Sequence, residues 1–171
     1  MSIEQIKKDN IKVEEPKKQI DLQRLYVKEQ QCKLSRSPQV FKEEWQPEIN
    51  MEMQINNSML EKDVYEAVLQ INITVKNKQV TALVAEIQQA GIFLIKGFNE
   101  AEQKAIFATY VPNILYPYAR RLISTLSTDA TVPPITIAPV NFDLLFKQQL
   151  AEAKKEEQAK ATVLPKEAVL N

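Results

Sequence analysis

The chain has 171 residues, 22 of them basic and 22 acidic, so its formal net charge at pH 7 is zero. That length holds one domain with a real core, and a neutral balance leaves no global field to recruit nucleic acid or an anionic membrane. Histidine is absent, which removes Ser-His and Cys-His nucleophiles and most zinc, copper and iron sites, and the two glycines cannot build a phosphate-cradling loop. The single cysteine, Cys32, excludes an internal disulfide and favours a reducing compartment.

Residues 1–18 mix Lys7, Lys8, Lys12, Lys17 and Lys18 with Glu4, Asp9, Glu14 and Glu15 and carry few large apolar groups. They are expected to form a disordered tail without a signal-peptide core. Ile20 to Val27 reads as a strand whose apolar phase slips between Leu22 and Leu25. A bulge near Gln23–Arg24, or simply an irregular edge strand, accounts for the slip. Ser35 to Pro47 holds Pro38, Phe41, Trp45 and Pro47 and reads as an extended crossing segment with large aromatics.

Ile49, Met51, Met53 and Ile55 alternate with polar residues, predicting a second strand closed by a turn at Asn56–Asn57–Ser58. In the third, Tyr65, Ala67, Leu69, Ile71, Ile73 and Val75 fall on every second residue. A polar turn over Lys76–Lys78 leads into a return strand from Val80 to Gln89, which is apolar on both phases and so needs cover on both faces. Short links between these strands favour an antiparallel sheet.

Past Gly97 the period changes. Asn99 and Glu102 form a capping box before Ala105, Ile106 and Tyr110. Pro112 is read as an interruption and Asn113 as a restart, with Ile114, Leu115, Tyr118, Leu122 and Leu126 on one face. Val132 to Pro139 is a proline-rich extended link. Asn141 caps a last helix through Leu144 and Leu145, which becomes a Lys/Glu/Ala string after Ala151 and frays near Pro165. Strands first and helices afterwards give an α+β fold, a four-stranded antiparallel sheet with helices packed on it.

No constellation supports catalysis: pairs such as Glu43–Glu44 and Glu156–Glu157 are the solvated acids of an ordinary surface. No apolar run approaches the roughly 20 residues of a membrane span. What remains is apolar recognition by the aromatics near proline-marked segments, each of which has the core as its plain alternative.

Five stretches together resemble the SecB family of protein-export chaperones, in that family's order and over about residues 19–150. They are Trp45-Gln46-Pro47-Glu48, Asp63-Val64-Tyr65-Glu66, Gln88 to Phe93, Pro112 to Arg120, and Ala138 to Asp143. The resemblance implies a cytoplasmic homotetramer, a dimer of dimers, with no cofactor and no direct membrane insertion. It implies that unfolded preproteins are held without ATP and handed to the SecA ATPase of the secretion channel. By position it places SecA docking at Glu29, Lys33, Val84 and Glu86, where Lys33 stands in place of a family acid. It places tetramer packing at Ala85, Ile87 and Gln89, on the opposite phase. Phe41, Trp45, Tyr116 and Tyr118 are the candidate walls of a client groove.

Two features depart from the family. Residues 19–150 carry 13 basic and 14 acidic groups, and the 151–171 tail, which in the family assists docking, has four of each sign. Docking is therefore expected to depend less on salt. A SecB-like chaperone dedicated to one partner, such as a toxin–antitoxin pair, is the alternative.

Overall fold

The structure is a computed structural model that describes the backbone of residues 17–162 and the side chains to residue 156. Four strands come first: β1 (Gln19–Leu34), β2 (Pro47–Glu61), β3 (Val64–Asn77) and β4 (Val80–Lys96). They form one antiparallel sheet in the order β1-β4-β3-β2. Helices follow as expected: α1 (Glu100–Ala108), α2 (Tyr110–Asp129) and α3 (Phe142–Thr162). The parts of the expected tails at residues 1–16 and 163–171, including the fray near Pro165, lie outside the described residues.

The period-two pattern of β3 and β4 decides the layering. Tyr65, Ala67, Leu69, Ile71, Ile73 and Val75 pair across with Phe93, Gly91, Gln89, Ile87, Ala85 and Leu83, so both sets share one face. That face is closed by α2, through Val111, Leu115, Ala119 and Ile123, all at 0–1 % exposure. The opposite face carries Glu66, Val68, Gln70, Asn72 and Thr74 beside Ile92, Ala90, Gln88, Glu86 and Val84, and the described residues leave it open. One phase is core; the other is mostly surface, with Val68 and Ala90 buried among their neighbours.

Several local expectations need correction. Asn56, Asn57 and Ser58 are not a turn. They pair with Val68, Ala67 and Glu66, and β2 continues to a two-residue turn at Lys62–Asp63. An edge strand has one side to pair, and the long β3 ladder outweighs the weak turn preference of these polar residues. The slip in β1 is a bulge at Gln23, and a second lies at Lys28, where the register also shifts. The β3–β4 turn is Lys78–Gln79, both at positive φ (49° and 72°), the twist a two-residue hairpin requires.

Pro112 does not interrupt α2. The break is one turn earlier, at Thr109, whose hydroxyl and N–H both close on the Ala105 carbonyl. Pro112 lies in the first turn of α2, where a missing N–H forfeits no helical bond. The fully buried stripe runs through Val111, Leu115, Ala119 and Ile123; of the expected face, Leu115 is in it, Ile114, Leu122 and Leu126 pack partly buried at its margin, and Tyr118 is exposed. Ala119 is small enough to let the helix axis approach the sheet, an effect that counting large apolar residues misses. The caps are as read: Asn99 and Glu102 form a capping box, with Glu102 N–H donating to Asn99 Oδ1 at 2.9 Å, and Asn141 Oδ1 accepts the Leu144 N–H at 2.9 Å.

The link after α2 supplies core that its proline content disguised. Val132, Ile135 and Ile137 are buried, and Ser127, at 1 % exposure, accepts the Ile135 N–H at 3.1 Å. The last helix packs only at its root. Phe142 is buried edge-on against Tyr116, whereas Leu144, Leu145 and Leu150 are exposed.

Gly91 marks the closest approach of helix to sheet. A Cβ built there would stand 2.7 Å from the Phe93 ring and 3.2 Å from Leu115 Cδ2. The expected cost of Gly91→Ala is about 1–3 kcal/mol, the usual penalty for overpacking, read as a lower urea midpoint at unchanged slope.

Candidate functional site

The sheet's open face collects the four residues assigned to docking. Lys33 lies directly across from Val84, Glu29 pairs with Gln88, and Gln31 pairs with Glu86, so Glu29, Lys33, Val84 and Glu86 occupy one patch of β1 and β4. Gln88 Nε2 donates to Glu29 at 3.0 Å and, more weakly, to Glu86 at 3.4 Å; Gln70 Nε2 donates to Glu86 at 2.9 Å. Beside this patch Tyr26 donates its hydroxyl to Glu66, and Lys28 Nζ donates to both Glu66 oxygens at 2.9 and 3.0 Å. The Lys28 bulge brings its ammonium onto the same carboxylate as Tyr26.

Ala85, Ile87 and Gln89 do not stand on a free surface. They are 0–3 % exposed on the helix-covered face, and Ala85 and Ile87 belong to the chain's own core. The Gln89 amide is occupied too, donating at 2.8 Å to the Tyr26 carbonyl of β1. Within the subunit α2 covers the phase these side chains occupy.

The aromatic candidates divide. Phe41, half exposed, and Trp45 line a cleft of about 120 Å³ with Val40, Glu43, Thr131, Val132 and Pro133. The crossing segment forms one wall and the loop after α2 the other. A single turn of 3₁₀ helix at Gln39–Lys42 buries Val40 and turns Phe41 outward. Asn77 pins the segment: at 2 % exposure its Oδ1 accepts the Gln46 N–H at 2.8 Å and its Nδ2 donates to the Glu44 carbonyl at 3.1 Å.

Tyr116 is core rather than groove, at 4 % exposure with its hydroxyl donating to the Ala138 carbonyl. Burial pushes its phenol pKa up. Tyr118 is exposed on α2 and does not line the Phe41–Trp45 cleft.

A larger apolar cleft escaped the sequence reading. It measures about 290 Å³ and runs between Met53, Ile55 and Leu69 of the sheet, Ala108 and Pro112 at the α1–α2 junction, and Phe142, Leu145 and Phe146 of α3. The signal was available in Met51 and Met53, flexible thioethers on the apolar phase of an edge strand, and in the Leu144–Leu145 pair.

The comparisons with known proteins fall on this frame. The sequence model of the family described as "Preprotein translocase subunit SecB" matches residues 13–153. The chain belongs to the SecB family. "Protein-export protein SecB" of Stutzerimonas stutzeri (strain A1501) is 41 % identical over 144 residues, covering 84 % of this chain and 88 % of the relative. The protein of the same name in Pseudomonas fluorescens (strain SBW25) is 41 % identical over 138 residues, covering 81 % and 87 %. Among solved structures, the Mycobacterium tuberculosis Rv1957 SecB-like chaperone, in complex with a ChAD peptide from the Rv1956 HigA1 antitoxin, has a TM-score of 0.61 at 17 % identity. It covers 71 % of this chain and 91 % of that one, which shows the shared fold. The SecB family is one of protein-export chaperones, and this chain is a member over nearly the whole of its relatives' length.

Within this SecB subunit the Tyr26–Glu66–Lys28 cluster gives the open face a measurable titration. Burial, then the hydrogen bond and charge of Glu66, push the Tyr26 phenol up to about 12. Hydrogen bonds from Lys28 and Tyr26 hold the Glu66 carboxyl below the usual carboxylate value. The Tyr26 contribution to stability is present below its ordinary pKa of 10 and is lost as pH rises from there through about 12. The Glu66 contribution is present above its ordinary value of 4.5 and is lost as pH falls below it. In Glu66→Gln, titration of tyrosinate absorbance should show the Tyr26 pKa falling but staying above its ordinary value, because burial is the larger cause. The same variant should show a smaller acid-side dependence of the unfolding free energy, the part due to Glu66 being lost while that of Glu100 and Glu102 remains.

Proposed function

We propose that this SecB protein is a cytoplasmic, ATP-independent chaperone that holds preproteins unfolded and delivers them to the SecA ATPase. The observation that carries the reading is the separation of two unlike surfaces on one subunit. The open sheet face is polar and ordered by side-chain hydrogen bonds, suited to a folded, specific partner. The clefts at Phe41–Trp45 and at Met53–Phe146 are apolar and irregular, suited to weak and promiscuous contact with unfolded chain. A client reaching several such clefts gains by effective concentration rather than by one strong contact. The chain works by binding rather than by catalysis.

Assembly is proposed as a homotetramer, a dimer of dimers. The support is an unpaired outer edge along β1, with Leu22 and Val27 about 40 % exposed on the helix side of the sheet beyond the reach of α2. A long free edge with apolar neighbours invites a second copy. The 151–171 tail is proposed to assist SecA docking, less strongly than an acidic tail would. No helix among the described residues is long and apolar enough to cross a membrane.

Dedication to a toxin–antitoxin pair is the weaker reading. The antitoxin peptide is bound by a protein 17 % identical to this chain, whereas relatives named for protein export are 41 % identical.

Two measurements test the proposal. SecA should be retained by the immobilised protein at low salt; no retention would sink the export reading in favour of a dedicated role. In a folded assembly, Phe41→Ala combined with Trp45→Ala should reduce suppression of client aggregation severalfold, since each ring buried contributes roughly 1.5–3 kcal/mol. If both that pair and Leu145→Glu left suppression intact, the clefts would not be client sites.

A further inference from the structure

The open face treats its carboxylates in two different ways. Glu66 is neutralised in place by Lys28. Glu29 and Glu86 are held by amides instead: Gln88 donates to both, Gln31 also to Glu29 and Gln70 also to Glu86. Among the described residues neither makes an ion pair. An amide orients a carboxylate without cancelling its charge, so two anions on adjacent strands keep their outward lone pairs for a cation from elsewhere.

The other end of the patch is opposite in sign. Lys33 likewise makes no ion pair among the described residues. It lies directly across from Val84, an apolar side chain 39 % exposed at the same level of the neighbouring strand. At roughly 3.3 Å per residue, Lys33 stands about 13 Å along β1 from Glu29. The face therefore reads, in order along the strands, as Glu29, then Glu86, then Lys33 side by side with the apolar Val84.

We propose that this order is a mixed-charge docking code in which Lys33 determines specificity. The inference rests on the SecA-docking reading above and names the chemistry of the partner surface. That surface places an arginine or lysine over Glu29 and Glu86, an apolar side chain over Val84, and a carboxylate against Lys33. The carboxylate is the new requirement. A partner surface that is basic throughout would meet Lys33 as a like charge, which suppresses binding in the way interfaces reject wrong partners.

The experiment measures, by calorimetry at low and at physiological salt, the binding of SecA from the same bacterium to the full-length protein. Wild type is compared with Lys33→Glu, Lys33→Gln and Glu86→Gln, all changes at side chains outside the core. Lys33→Glu should weaken binding about tenfold and Lys33→Gln about threefold, with the differences shrinking as salt rises. Glu86→Gln should weaken binding as well. If Lys33→Glu failed to fold, as judged by circular dichroism, Lys33→Gln would carry the test. Binding by either Lys33 variant as tight as wild type or tighter, while Glu86→Gln still weakens it, would overturn the code and leave SecA docking standing. No SecA binding by wild type at low salt would remove the docking reading and the code together.

Discussion

The structure depends on the closure of one face of β3 and β4 by α2. Two neighbouring strands present Leu69, Ile71, Ile73, Leu83, Ile87 and Phe93 on a single side. Leaving such a surface in water would cost on the order of 1.5–3 kcal/mol for each large side chain. The helix can seat closely because Gly91 and Ala119 offer almost no side chain where it meets the sheet. Once that face is sealed, the pleat assigns every intervening residue to the other side, and the patch of Glu29, Lys33, Val84 and Glu86 gathers there.

The same closure explains why the edges matter. Only β3 and β4 lie under α2, so β1 and β2 keep partly bare apolar residues at the margins. On the β2 side, the root of α3 leans over Met53 and Ile55 and leaves a cleft rather than a seal. On the β1 side, Leu22 and Val27 stand uncovered. The crossing segment has to run from one edge to the other, three strand spacings or about 14 Å. Asn77 holds its far end by two backbone contacts; Trp45 packs partly on the core and Phe41 stands half exposed.

Membership of the SecB family sets this arrangement among export chaperones without making every position alike. Lys33 brings a positive group into a patch whose carboxylates are left without counterions, while Lys28 and Glu66 cancel each other nearby. Neutral net charge at the level of the chain thus conceals a local order of charge on one face. Local order, rather than the total, is what a docking surface presents to its partner.

By itself the sequence determined the element types, the α+β order, the buried phase of β3 and both asparagine caps. These follow from periods and short-range chemistry, which a linear reading registers directly. Only the tertiary structure decided the extent of β2 past Asn56–Ser58, the true buried stripe of α2 and the interior place of Ala85, Ile87, Gln89 and Tyr116. It also decided that Val132, Ile135 and Ile137 are core despite their proline-rich surroundings. In each case the outcome turns on what lies opposite in space: a ladder partner for Asn57, a sheet face for Ala119, the Ala138 carbonyl for Tyr116. Such partners are distant along the chain, so no local pattern encodes them.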